Sequence, residues 1–293
     1  MTMNARKTSW DMLMRRRIIA GAFVVLGLAA SIPAASAKSA TTQITWYGHA
    51  AFKVTTPSGK VVLLDPWITN PANKTGKQDL AAIKKADLIL ITHGHFDHVG
   101  DAAAIAKRTG AQLVAVEELS EAVVQFGGYP KAQATMATAG NMGGELTLLG
   151  GEVKVAFVPA VHSSGFAAPD NGEEHYAGNP VGFLVSVKGG PTIYDTGDTD
   201  MFSDMALIPK VHKVDVMLCC IGGRFTMGPD LAAQAVKLVK PAVVVPMHYG
   251  TFPLLSGTPA AFSSALKTGG VHSVMHVMRV HDSLSFIGHR LTR

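Results

Sequence analysis

From residue 43 onward the chain alternates short runs rich in Val, Ile, Leu and Thr with longer runs of helical spacing. This rhythm restricts the fold to helices layered on sheet, because apolar strands must be covered on their faces. Strand character falls on residues 44–47, 51–55, 61–64, 87–92 and 112–116, then on 145–149, 153–159, 181–187 and 192–194, and finally on 214–218, 242–246, 274–278 and 284–287. Helical spacing falls on 101–108, 119–126, 230–239 and 259–267, with Gly110 closing the first. Ser58 and Gly59 supply the turn between the second and third strands. Residues 165–179 read as one long polar loop, and no short-period repeat is visible. The expectation is two β-rich halves with helices outside, forming one α/β domain over residues 38–293 that is long enough to bury a large core.

The charge is unevenly placed. Of 26 Lys and Arg against 21 Asp and Glu, five basic residues and one acid lie in residues 1–37, so this leader carries four of the five net positive charges. The remainder is nearly neutral, which argues against a nucleic-acid partner, since that needs a basic patch on the folded domain. A hydrophobic share of 47% excludes a disordered chain. Within the leader, Arg15-Arg16-Arg17, the apolar stretch 18–30 and the small-residue site Ala35-Ser36-Ala37 stand in the order of a cleavable export signal. The apolar stretch falls short of the roughly 20 residues that span a bilayer. An uncleaved, anchoring N-terminus is the alternative. Paired arginines before Ile18 resemble a twin-arginine signal, a route for proteins that are already folded. The expected location is the periplasm or the exterior, with membrane contact only through the leader. Cys219 and Cys220 are adjacent in an apolar run and read as inert strand residues.

The sharpest motif is Thr92-His93-Gly94-His95-Phe96-Asp97-His98-Val99-Gly100-Asp101, directly after a buried strand. In an extended loop His93 and His95 point to one side, while Asp97 and His98 can begin the next helix and aim at a neighbouring point. One loop can therefore serve two adjacent metal ions, and imidazole with carboxylate suits Zn²⁺ or another first-row divalent ion. Three later strand ends offer further donors: His162 after residues 153–159, Asp198 in Asp195-Thr196-Gly197-Asp198-Thr199-Asp200, and His248 in Pro246-Met247-His248-Tyr249. Taken singly, each has an ordinary reading as a hydrogen-bonded loop residue.

The order of these motifs resembles the metallo-β-lactamase superfamily. The closer likeness is to bacterial and archaeal metal-dependent hydrolases related to the L-ascorbate 6-phosphate lactonase branch. It is carried by Thr45-Trp46-Tyr47-Gly48-His49-Ala50, Asp65-Pro66, the histidine loop, His162-Ser163-Ser164, Gly197-Asp198-Thr199, Phe202-Ser203-Asp204-Met205, the run from Ile221 to Gly228, and Met247-His248-Tyr249. The export leader departs from the usual pattern of these relatives. The resemblance implies a four-layer αββα sandwich with the site at the edge where both halves meet. It also implies that His93, His95 and His162 hold one metal and Asp97, His98 and His248 a second, with Asp198 bridging. Asp65 would support the histidine loop from behind, although a plain strand-end turn fits it equally.

Such a site implies a hydrolase in which hydroxide becomes available at neutral pH, and the resemblance to the lactonase branch implies an ester or lactone as its small-molecule substrate. One or two divalent ions are expected, Zn²⁺ first, with Mn²⁺ or Fe²⁺ as alternatives. Asp97 is a candidate proton shuttle. Ser163 and Ser164 read as loop hydrogen-bonders, since no nucleophilic serine is needed. His49, Arg224 and Tyr249 are candidates for touching substrate or supporting the site, each with an ordinary structural reading beside it. His175 reads as a solvated loop residue. The competing functions are a phosphodiesterase of the same fold and a non-catalytic metal-binding protein.

Overall fold

Three short runs with alternating or continuous apolar character open the domain. They pair as an antiparallel meander because the first and the second are each followed by a tight turn that reverses the chain. In the computed structural model, which describes residues 41–292, these are β1 (Thr41–Trp46), β2 (Phe52–Thr55) and β3 (Val61–Leu64). The leader, with its twin-arginine-like motif and cleavage site, lies outside the described residues. Gly59 takes a φ of 83° in the β2–β3 turn, a backbone conformation that glycine adopts without steric cost. The chain then forms α1 (Gly76–Ala82), β4 (Leu88–Leu90), the single-turn α2 (Phe96–Val99), α3 (Ala102–Thr109), β5 (Gln112–Val116), α4 (Glu117–Gln125) and the short β6 (Ala139–Gly140).

The second half contributes β7 (Glu145–Leu148), β8 (Val153–Pro159), β9 (Gly165–Ala167), β10 (Glu174–Tyr176), β11 (Val181–Val187) and β12 (Thr192–Asp195). It continues with α5 (Ile208–Val211), β13 (Val216–Cys220), α6 (Pro229–Val239), β14 (Val243–Met247), α7 (Pro259–Thr268) and β15 (Val274–Met275). The chain finishes with β16 (Ser283–Ile287) and β17 (Arg290–Thr292), which return to the first sheet. The first sheet runs β17-β16-β1-β2-β3-β4-β5-β6 and the second β15-β14-β13-β12-β11-β8-β7. One apolar core runs through both, and the helices cover the outer faces. This is the αββα sandwich, with β13 and β14 buried along their whole length as strands in an inner layer must be. No helix among the described residues is long and apolar enough to cross a membrane.

Two sequence readings need correction. The loop over residues 165–179 contains the antiparallel hairpin β9–β10, in which Phe166 pairs with His175. Its polar composition hid the pairing, since half of a small surface hairpin faces water. His175 is half-buried, and its ring lies flat on Phe126 with centroids 3.4 Å apart, so it is not a solvated residue. Helix α1 carried too weak an apolar period to be read.

The topology places the chemistry. β3 and β4 run parallel with Leu64 opposite Leu90, so Asp65 and the histidine loop emerge side by side. β8 and β12 both run antiparallel to β11, and β12, β13 and β14 are parallel neighbours. The loops after β8, β12 and β14 therefore open at one edge. The two halves meet there: Val181 N–H donates to Thr92 C=O at 3.0 Å, and a Cβ added to Gly197 would lie 2.8 Å from Thr92.

Candidate metal centre

His93 follows β4 in a buried bend, and its ring is fixed by the residue before it. Thr92 Oγ1 donates to Asp65 Oδ2 at 2.7 Å and accepts from His93 Nδ1 at 3.0 Å, which leaves His93 Nε2 with its lone pair facing the site. That nitrogen is 2.9 Å from His95 Nδ1, and His162 Nε2 is 3.3 Å from the same His95 atom. Two nitrogens bound tetrahedrally at about 2.0–2.1 Å sit about 3.3 Å apart, so these three donors have the spacing of one ion's ligands.

Asp97 and His98 begin α2, and the helical turn swings them away from His93 and His95 toward a second point. His98 Nδ1 donates to Asp65 Oδ2 at 2.6 Å, again leaving Nε2 free. His248 reaches the same point from the end of β14, its Nε2 lying 3.7 Å from Asp97 Oδ2. Asp198 lies between the groups: Oδ1 is 3.3 Å from His98 Nε2, while Oδ2 is 3.0 Å from His248 Nε2, 3.7 Å from His162 Nε2 and 4.0 Å from His93 Nε2. His98 Nε2, His248 Nε2 and Asp198 Oδ1 are buried, yet none makes a directed hydrogen bond. Buried polar atoms left this way cost free energy unless something fills the space between them. Close but undirected donors of this kind fit a cation at their focus, and the described residues group as His93, His95 and His162, as His93, His98 and Asp198, and as His49, Asp97, His98 and His248.

Electrostatics agree with the geometry. Burial lowers His93, His95 and His162 below the usual histidine range, so these rings are neutral donors. Burial also opposes charge on His98 and His248, but Asp198, joined by Asp65 at His98 and by Asp97 at His248, outweighs it, raising His98 strongly and His248 to about 9. Burial would raise Asp97 and Asp198, yet the surrounding imidazoles overcome it and hold both carboxylates ionised. Without a cation the acids thus draw protons onto their histidines, and a metal held there would have to displace them.

His49 is completely buried. Its Nε2 donates to Asp97 Oδ2 at 3.0 Å while Nδ1 accepts from Thr251 Oγ1 at 2.9 Å, and burial lowers it to about 4, so the ring is neutral. Its carbonyl oxygen accepts from His248 N–H at 3.1 Å. His49 therefore holds Asp97 and the His248 backbone in place. Asp65 accepts from Thr92 N–H at 2.8 Å as well as from the Thr92 hydroxyl and His98. His49, Asp65 and His248 all have positive φ (52°, 39° and 57°), a strain of about 1–3 kcal/mol each that clusters at the site.

The centre floors a cavity of about 440 Å³ lined by His95, Asp97, His162, Ser163, Asp198 and His248 together with Phe96, Phe225, Phe252, Leu254 and Leu255. Arg224 and Tyr249 are not brought to it. Arg224 is exposed with its guanidinium 5.4 Å over the Phe225 ring, and Tyr249 stacks on Trp46 at 5.7 Å. Ser164 Oγ accepts from Gly94 N–H and donates to Ala177 C=O, tying the β9–β10 hairpin to the histidine loop. Thr92 stands in the sequence motif, but its role in orienting His93 was not read there, and Thr251 and the aromatic wall escaped the sequence reading because nothing local marks Thr251 or Phe252.

Residues 43–248 match the family model described as a beta-lactamase superfamily domain. The chain is 55% identical over 244 residues to a UPF0173 metal-dependent hydrolase of Thermodesulfovibrio yellowstonii, covering 83% of this chain and 91% of that protein. It is 57% identical over 228 residues to a protein of the same name from Anaeromyxobacter sp. (strain K), covering 77% and 81%. Among solved structures it resembles Igni18, a metallo hydrolase from the hyperthermophilic archaeon Ignicoccus hospitalis, with a TM-score of 0.72 and 36% identity over 84% of this chain and 98% of that one. With family, relatives and site geometry in agreement, the chain belongs to the UPF0173 metal-dependent hydrolases of the metallo-β-lactamase superfamily.

Proposed function

We propose that this hydrolase is exported to the periplasm or beyond, holds two divalent ions and cleaves the ester or lactone bond of a small molecule. The observation that carries this reading is the pair of donor groups sharing Asp198 at the floor of a cavity. His93, His95 and His162 would hold one ion, Asp97, His98 and His248 the other, and Asp198 would join them. Their nitrogen and carboxylate donors and short spacings favour Zn²⁺, with Mn²⁺ or Fe²⁺ as the other candidates. Bound there, the metal supplies Lewis acidity and makes water nucleophilic near neutral pH.

The chain's own residues do the rest. Hydrolysis places the water oxygen on the acyl carbon, breaks the acyl C–O bond and delivers a proton to the leaving oxygen. Asp97 Oδ lines the cavity and is held by His49, so it is placed to carry that proton. Ser163 Oγ, 3.3 Å from His95 Nε2, orients a ring rather than attacking substrate. No Lys or Arg lines the cavity, so beyond the ions themselves the lining offers no cationic side chain to a phosphodiester. The leader's order supports export, and the near-neutral remainder leaves no basis for a nucleic-acid partner.

The test is chelation followed by reloading with Zn²⁺, Mn²⁺ or Fe²⁺. Stripped protein should lose hydrolysis of lactones and aryl esters and melt about 5–10 °C lower than protein holding metal at 100 times its Kd. Asp198→Ala should be inactive. Activity that survives stripping or that substitution, or confined to bis-aryl phosphodiesters or a β-lactam, would sink the proposal.

A further inference from the structure

Single exposed apolar side chains are ordinary on a protein surface, but a ring of them around one opening is not. Phe96, Phe225 and Leu254 are 63%, 52% and 54% exposed, and all three line the cavity over the candidate metal centre, with Phe252 and Leu255 deeper in the same wall. The wall is built rather than incidental. Trp67 packs against Phe96 at 5.5 Å and Phe252 at 5.9 Å, and Phe252 in turn packs against His49 at 5.8 Å. The lining carboxylates, Asp97 and Asp198, stand among the imidazoles on the cavity floor, whereas the wall itself presents apolar side chains; the guanidinium nearest to it, that of Arg224, lies on the exposed side, 5.4 Å from the Phe225 ring centroid. Such a wall gains from removing apolar surface from water, and a charged group laid on it loses its hydration without finding a partner.

We propose that this wall binds the non-reacting part of the substrate as an uncharged apolar chain or ring, so that the substrate is a neutral ester or lactone bearing a medium-length acyl, alkyl or aryl group. The inference rests on the hydrolase reading. It assigns Phe96, Phe225, Phe252, Leu254 and Leu255 as the residues that set chain-length preference. Trp67 supports the wall from behind.

The experiment uses Zn²⁺-loaded full-length protein and a series of p-nitrophenyl esters from acetate to decanoate, beside γ-lactones with alkyl side chains of matching length. Each added methylene should raise kcat/KM about fourfold until the cavity is full. An ester ending in a carboxylate should react at least tenfold more slowly than its neutral isostere. Phe225→Ser and Leu254→Ser alter exposed positions, and each should lower kcat/KM for the octanoate ester about tenfold more than for the acetate ester. A flat chain-length series, or a preference for the anionic tail, overturns the inference and leaves the hydrolase reading standing. If no ester or lactone is hydrolysed, that reading fails, and tryptophan fluorescence titrated with 1-octanol against octanoate still decides the cavity. Tighter octanol binding, lost in Phe225→Ser, supports it; equal or absent binding refutes it. Weaker binding of the variants to phosphatidylcholine vesicles with an unchanged chain-length slope would make the rim a membrane contact and likewise overturn the proposal.

Discussion

Asp65→Asn changes one atom of a buried side chain and should separate the two halves of the metal centre. Asp65 Oδ1 accepts from Thr92 N–H, which an Asn carbonyl can still do. Oδ2 accepts from both the Thr92 hydroxyl at 2.7 Å and His98 Nδ1 at 2.6 Å, and in the variant an NH₂ faces those two donors. Each unmade buried bond costs about 1–3 kcal/mol, so with two of them the variant should lose roughly 2–6 kcal/mol of stability. His98 can relieve its conflict by moving the proton to Nε2, the atom aimed at Asp198, and a protonated Nε2 cannot bind a cation. Loss of such a supporting partner typically costs 10–100-fold in metal affinity. Zn²⁺ titration against a competing chelator should therefore show one equivalent weakened by that factor, with the equivalent held by His93, His95 and His162 affected less. Guanidinium denaturation of the metal-free protein reads the stability term separately. Two equivalents bound at wild-type affinity would show that Asp65 merely closes a turn, and the orienting role would be wrong.

Two further outcomes follow from other parts of the structure. In Gly222→Ala the new Cβ would overlap the carbonyl oxygen of His248 and lie 2.9 Å from its Nδ1, so thermal denaturation should show a loss of about 1–3 kcal/mol and metal content should fall; normal metal content with normal stability would mean the backbone yields there freely. Burial tends to raise Asp79, but hydrogen bonds from His281, Asn73 and Thr75 outweigh this and hold its carboxyl below the usual range. Its contribution should be full above an unfolded pKa of about 3.9 and disappear as pH falls through the lower folded value, so Asp79→Asn should cost at most about 1 kcal/mol at pH 7 and nothing in strong acid. Denaturant midpoints at the two pH values check this, and a difference that grows in acid would contradict it.

Much of this was legible in one dimension because it is local. His93, His95, Asp97 and His98 are fixed relative to one another by the switch from extended chain to helical turn, which their spacing already encodes. Apolar runs ending at Asp65, His162, Asp198 and His248 could be read as strand ends, since burial demands continuous apolar character. Short polar pieces such as β9, β10 and α1 were not legible, because exposed segments need no diagnostic pattern to be paired or capped.

By itself, then, the sequence determined the layered fold, the histidine loop with its four closely spaced candidate donors, the strand ends that carry His162, Asp198 and His248, and the charged leader with its apolar stretch. Only the tertiary structure decided that Asp198 stands between two groups of histidines, that His49 is clamped between Asp97 and Thr251, and that Trp67 and Phe252 build an apolar wall over the centre while Arg224 and Tyr249 stay outside it. The physical reason is distance along the chain. His49 and Thr251 are 202 residues apart, and which side chain meets which across such a gap is set by how two sheets close on a shared core, a global free-energy balance that leaves no mark at either position.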